Sequence, residues 1–168
     1  MDTYALDVIE VHAMLGDRIA VQVNRHHNMD PSAKFPSACF IDGDSRQQES
    51  DSARVYRLPG QSPEPYVYDK VMEQAAAAGG VLAVRLLQPF ATAGQVRATL
   101  EEIRRTNRDP HLLYSQVGLA LGLIPESTVR EAFVNTWAEF YPSEGKAILA
   151  PLQSLLPAEP AQASAEHA

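Results

Sequence analysis

Cysteine is nearly absent from this chain, with Cys39 the single example. No internal disulfide can form, and a reducing compartment, the cytoplasm, is expected. Long apolar runs are missing as well. None approaches the ~20 residues that a membrane helix needs, so no membrane partner is expected. The opening residues MDTYALDVIE carry no basic side chain, which argues against a signal peptide. Positive charge is in deficit: 14 Lys and Arg face 21 Asp and Glu, a net charge of −7. A general polyanion binder is excluded, and any contact with nucleic acid must come from a local basic patch. Internal repeats are absent. No glycine-rich phosphate-binding loop occurs, so an ATPase, if one is involved, is expected on another chain or has been lost.

The 168 residues, 45% hydrophobic and 21% charged, suit one globular domain with a sizeable core. The segment TYALDVIEVHAMLG reads as an amphipathic helix with Tyr4, Ala5, Val8, His12 and Leu15 on one face and Gly16 at its end. RIAVQVN, residues 18–24, alternates apolar and polar residues and reads as a strand. RHHNMDPSAK is a loop. SACFID, 37–42, is a short buried-type strand. ARVYRLPG, 53–60, is a third strand closed by Pro59-Gly60. Beyond it the periodicity turns helical. Ser62, Pro63 and Glu64 start a helix with Val67, Val71, Ala75 and Ala78 on its buried stripe, ended by Gly79-Gly80. GVLAVRLL is ambiguous between strand and helix. Val96, Leu100 and Ile103 mark the next helix, and PHLLYSQVGLALG another. Val129, Phe133, Trp137 and Phe140 mark a further one. A last helix, SEGKAILAPLQSLL, bends near Pro151. The expectation is an α/β domain over 1–156, a small sheet followed by a helical half. A disordered small-residue tail is expected over 157–168.

The stretch FPSACFIDGDSRQ, residues 35–47, bears the chemistry. Asp42 and Asp44 end the most apolar strand, where open α/β sheets bind ligands. On extended backbone a D-x-D pair points both carboxylates to one face. Such a pair repels itself unless a cation intervenes, and Mg²⁺ or Mn²⁺ prefers oxygen ligands. Gly43 permits close approach of a neighbour. The competing explanation is a solvated acidic turn, since Asp-Gly is common turn chemistry.

Three cation-using classes end a strand in this way. A haloacid-dehalogenase-type phosphatase places its nucleophilic Asp two residues ahead of a second Asp; with Asp42 as that second, this chain has Phe40 in the nucleophile's place. A nucleotide-sugar glycosyltransferase needs more strands than 168 residues supply here. The third is the Toprim domain of topoisomerases, primases and OLD-family nucleases. The pieces Asp42-Gly43-Asp44, Val55 to Leu58, Leu58-Pro59-Gly60 and Pro63-Glu64, in that order, resemble the C-terminal Toprim region of OLD-like ATP-dependent endonucleases. RDPHLLYSQVGLALGL is similar, more weakly, to the Asp- and His-bearing helical part of that region. The resemblance spans about residues 2–140. It implies a Toprim-like sheet and metal-dependent cleavage of DNA phosphodiesters in a phage-defence or DNA-processing setting. It also implies association with an ATPase on a partner chain.

In that family a glutamate ending the first strand helps to hold the metals. Asp2, Thr3, Tyr4 and Ala5 fit the positions just after it, and Met1 falls on it. The chain therefore resembles a Toprim domain that begins one residue too late, as a truncated, mis-started or split form would. Two-metal chemistry needs several carboxylates around ions roughly 4 Å apart. Asp42 and Asp44, with a contribution from Asp2, are then the metal ligands of an incomplete site. The alternative is a non-catalytic interaction module that assembles with an ATPase or another subunit.

Other residues are read more plainly. Adjacent His26 and His27 diverge and lack zinc spacing. His12 is a packed histidine and Cys39 an inert core thiol. His111 orients a turn or sits near the metal, and Glu64 is a helix-start carboxylate. Arg104, Arg105 and Arg108 suit a helix end and are the first phosphate contacts to test if DNA binds. Lys146 is a loose candidate for stabilising charge.

Overall fold

The computed structural model describes residues 9–14, 16–87 and 92–156. The expectations for residues 1–8, including Met1 and Asp2, and for the tail 157–168 lie outside these. The fold is mixed α/β and mostly helical. Its order is α1 (Asp17–Met29), β1 (Cys39–Ile41), β2 (Val55–Arg57), α2 (Pro63–Glu73), α3 (Ala75–Arg85), α4 (Ala93–Thr106), a 3₁₀ turn (Pro110–Leu112), α5 (Leu113–Ala120), α6 (Glu126–Phe140) and α7 (Pro142–Gln153). Among the described residues no helix is long and apolar enough to cross a membrane.

Residues 18–24 are helical, which corrects the strand expected there. The alternation of Ile19, Val21 and Val23 is coincidental: Ile19 and Val23 are 47% and 44% exposed. The buried positions are Val21 and Asn24, at the i, i+3 spacing of a helix face. Gly16 at φ 104° turns the chain into α1, and its carbonyl accepts the amides of Ile19 and Ala20. His26 and His27 are exposed in the last turn of this helix rather than in a loop. Residues 9–14 are not helical, and His12 is exposed beside Glu10, not packed.

β1 and β2 pair in parallel, with Cys39 opposite Val55, Phe40 opposite Tyr56 and Ile41 opposite Arg57. The sheet has these two strands only, among the described residues. Its α1 face buries Val21, Cys39, Ile41 and Val55 as one small cluster. The opposite face carries the half-buried Phe40 and Tyr56, ring centroids 5.7 Å apart. Asn24 fastens α1 to the sheet by donating to the carbonyls of Ala53 and Arg54. β2 starts later than the expected strand because Arg54, at φ 52°, ends a turn.

The larger core belongs to α2 through α6. Tyr68 stacks on Phe133 at 4.8 Å, and Tyr114 lies 5.3 Å from Phe133. Val96, Leu100 and Ile103 of α4 and Val129, Phe133 and Trp137 of α6 are buried, on the stripes the periodicity predicts. Gly79-Gly80 does not end a helix; both lie inside α3, which runs on through VLAVR. A Cβ on Gly79 would sit 2.5 Å from the Ala93 carbonyl oxygen, so the glycine serves close packing of α3 on α4. The break falls earlier, at Gln74. A capping box between Thr92 and Gln95 begins α4. Pro151 lies inside α7, near its end.

Candidate metal centre

Asp42 follows the last residue of β1, and Gly43 and Asp44 form the turn beyond it. Asp42 is half-buried and Asp44 exposed. The turn is seated on the Leu58-Pro59-Gly60 segment. A Cβ on Gly43 would lie 1.5 Å from the Gly60 carbonyl oxygen, so only glycine fits between the two carboxylates. Gly60 itself has φ 76°. The Asp44 amide donates to Gln61 at 3.0 Å, and the Leu58 amide to Ile41 at 2.9 Å. The D-G-D and L-P-G segments are therefore two sides of one seam.

The helices bring further acids to this strand end. Asn24 and Asn28 of α1 bond around Ser37, Ala53 and Arg54, at the start of the strands. The first turn of α1, with Asp17, therefore lies toward their carboxyl end. Glu64 stands in the first turn of α2. Burial pushes the Asp42 carboxyl above the ordinary aspartate range, and the charges of Asp17, Glu64 and Asp44 push it further; His111 alone opposes them. Three carboxylates thus bear on the Asp42 carboxyl, and one imidazole opposes them. His111 Nδ1 is 3.7 Å from Glu64 Oε1. Glu64 Oε2 is buried and has no hydrogen-bond partner. The Glu64 carbonyl accepts the Tyr114 hydroxyl at 3.2 Å, which ties this helix start to the large core.

These features bear on whether a hard cation suits the site. All the donors are carboxylate oxygens, the excess is negative, and one buried oxygen has no partner, as Mg²⁺ or Mn²⁺ would require. Among the described residues, no three His, Cys, Asp or Glu side chains converge closely enough to hold one ion.

The other expected residues are placed as follows. Arg104 forks onto Asp69 at 2.6 and 2.7 Å, and Arg105 onto Glu102 at 2.9 and 2.6 Å. Arg104 and Arg105 are thus paired with carboxylates at the surface, and Arg108 is exposed. Cys39 is buried, and its thiol is pushed up chiefly by that burial. Lys146 is exposed within α7. The His111 amide donates to Asp109, which caps the 3₁₀ turn, and its ring faces Glu64. Asp17 is absent from the expected site residues because the alternation over 18–24 reads as a strand, whereas Asp17 opens a helix. A helix start at Gly16-Asp17 was the available signal.

No family model, no curated protein and no solved structure matches this chain.

Proposed function

We propose that this chain is a Toprim-like, metal-dependent nuclease domain acting on DNA phosphodiesters, working with an ATPase of the OLD type on a partner chain. One observation carries the reading: Asp42 directly follows a strand of a parallel pair, Asp44 lies two residues on, and the charges of Asp17, Glu64 and Asp44 bear on the Asp42 carboxyl, opposed by His111. The order of D-G-D, L-P-G and P-E supports it, and the first two of these segments meet in space as one seam. Asp42 and Asp44 would hold Mg²⁺ or Mn²⁺. When bound, such an ion polarises a phosphoryl oxygen and makes its water a stronger nucleophile. Asp17 and Glu64 draw a cation toward the pair through their charge. Gly43 and Gly60 keep the turn close against the sheet.

The test is Mn²⁺-dependent nicking of supercoiled plasmid. It compares the chain as given with the chain preceded by a strand ending in Glu. The added carboxylate should raise nicking, and Asp42→Asn or Asp44→Asn should abolish the gain. Cutting that ignores both substitutions would place the chemistry elsewhere. A second reading, a non-catalytic interaction module, is favoured by the half-buried Phe40–Tyr56 pair on the outer sheet face. On that reading neither form of the chain nicks DNA.

A further inference from the structure

Arg57, the last residue of β2, makes an unusual set of contacts. Its Nη1 donates to the carbonyls of Asp42 at 3.0 Å, Gly43 at 2.8 Å and Ser45 at 3.0 Å. Its Nη2 donates to the carbonyl of Gln47 at 2.6 Å. One guanidinium thus gathers four carbonyls of the turn that carries the two aspartates. Glu49 holds Arg57 from the far side of the same loop. It accepts the Arg57 amide at 3.0 Å, and its second oxygen lies 3.9 Å from Nε.

Arginine suits this task because its planar fork offers several donors in fixed directions, where a lysine offers one compact charge. The contacts run to the backbone of Asp42, not to its carboxylate. The loop is therefore closed by a positive charge while its side-chain negative charge stays unspent.

We infer that Arg57 is the positioning residue of the candidate centre: it fixes the backbone of residues 42–47 and so sets where the carboxylates of Asp42 and Asp44 stand. The second half rests on the reading of those aspartates as cation ligands. The rigid fork removes the cost of ordering the turn at the moment a cation arrives, which is preorganisation.

The experiment uses the whole chain, with Arg57→Lys as the variant and Arg57→Gln as a second. Two readouts are taken: amide hydrogen exchange without metal, and Mn²⁺ affinity. The amides of Asp44, Ser45 and Gln47 are each hydrogen-bonded in the closed loop, to Gln61, Asp42 and the Ser45 hydroxyl. Both variants should speed exchange at these three amides on the order of 10-fold or more. They should weaken Mn²⁺ binding on the order of 10- to 100-fold, the range for lost supporting contacts at metal sites. Exchange at Leu100 and Val129 should not change, which shows that the helical core still folds. Unchanged loop exchange overturns the inference. Fast loop exchange with unchanged Mn²⁺ affinity also overturns it, leaving Arg57 structural only. A wild-type chain that takes up no Mn²⁺ refutes the metal reading instead, and the hold of Arg57 on the loop is then decided by exchange alone.

Discussion

Substituting Gly43 by alanine tests the seam that seats the two aspartates. The added methyl carbon would lie 1.5 Å from the Gly60 carbonyl oxygen, 2.6 Å from its carbonyl carbon and 3.1 Å from the Leu58 oxygen. All three are backbone atoms, so no side chain can rotate away. Reaching even 3.0 Å from the Gly60 oxygen requires the segments to part by about 1.5 Å. Overpacking of this kind costs ~1–3 kcal/mol. The parting also strains the Asp44-to-Gln61 and Leu58-to-Ile41 hydrogen bonds, each contributing ~1 kcal/mol. The seam should therefore open more readily by about 2–4 kcal/mol, and the Asp44 and Leu58 amides should exchange roughly 30- to 700-fold faster. The effect should be local. The sheet cluster of Val21, Cys39, Ile41 and Val55 is separate from the helical core, so exchange at Leu100 should be unaltered. Asp44 and Leu58 exchange within about threefold of wild type would refute the reasoning, since one kcal/mol already gives about fivefold.

Gly80→Ala should act in the opposite direction. Its Cβ would meet nothing nearer than the Ala93 Cβ at 4.0 Å, and alanine inside a helix is favoured by ~0.5–1 kcal/mol; a urea midpoint shifted upward checks this. Asp42→Asn should stabilise the metal-free protein at neutral pH. The folded carboxyl is raised above the ordinary value of 3.8, so between the two values the native state binds more protons and stability falls as pH rises. The rise in melting temperature at pH 7 should shrink as pH falls through the raised folded value toward 3.8; a gain that grows on acidification would contradict the assignment.

What could be read beforehand follows from how strong each local signal is. The stripes Val96, Leu100, Ile103 and Val129, Phe133, Trp137 sit on long helices, where the 3.6-residue period repeats often enough to be distinctive. The run 18–24 is too short to separate that period from alternation, and only the burial of Asn24 with Val21 shows which applies. Gly79-Gly80 misled because glycine commonly ends helices, whereas here it admits the Ala93 backbone. Asp42 and Asp44 were legible because a D-G-D after an apolar strand names its own position. Asp17 was not read as part of the centre, since the packing of α1 on the strands brings it there. The grip of Arg57 on four carbonyls was invisible for the same reason.

The most direct test of the cation centre is a calorimetric titration of Mn²⁺ into the wild-type chain, Asp42→Asn and Asp44→Asn, at neutral pH. The ionised Asp42 is penalised by its burial and then by the charges of Asp17, Glu64 and Asp44, which a bound cation would offset. The account predicts one weak site in the wild type, with affinity lowered at least about 10-fold in each variant. No heat of binding at millimolar Mn²⁺, or equal binding by all three proteins, would contradict it.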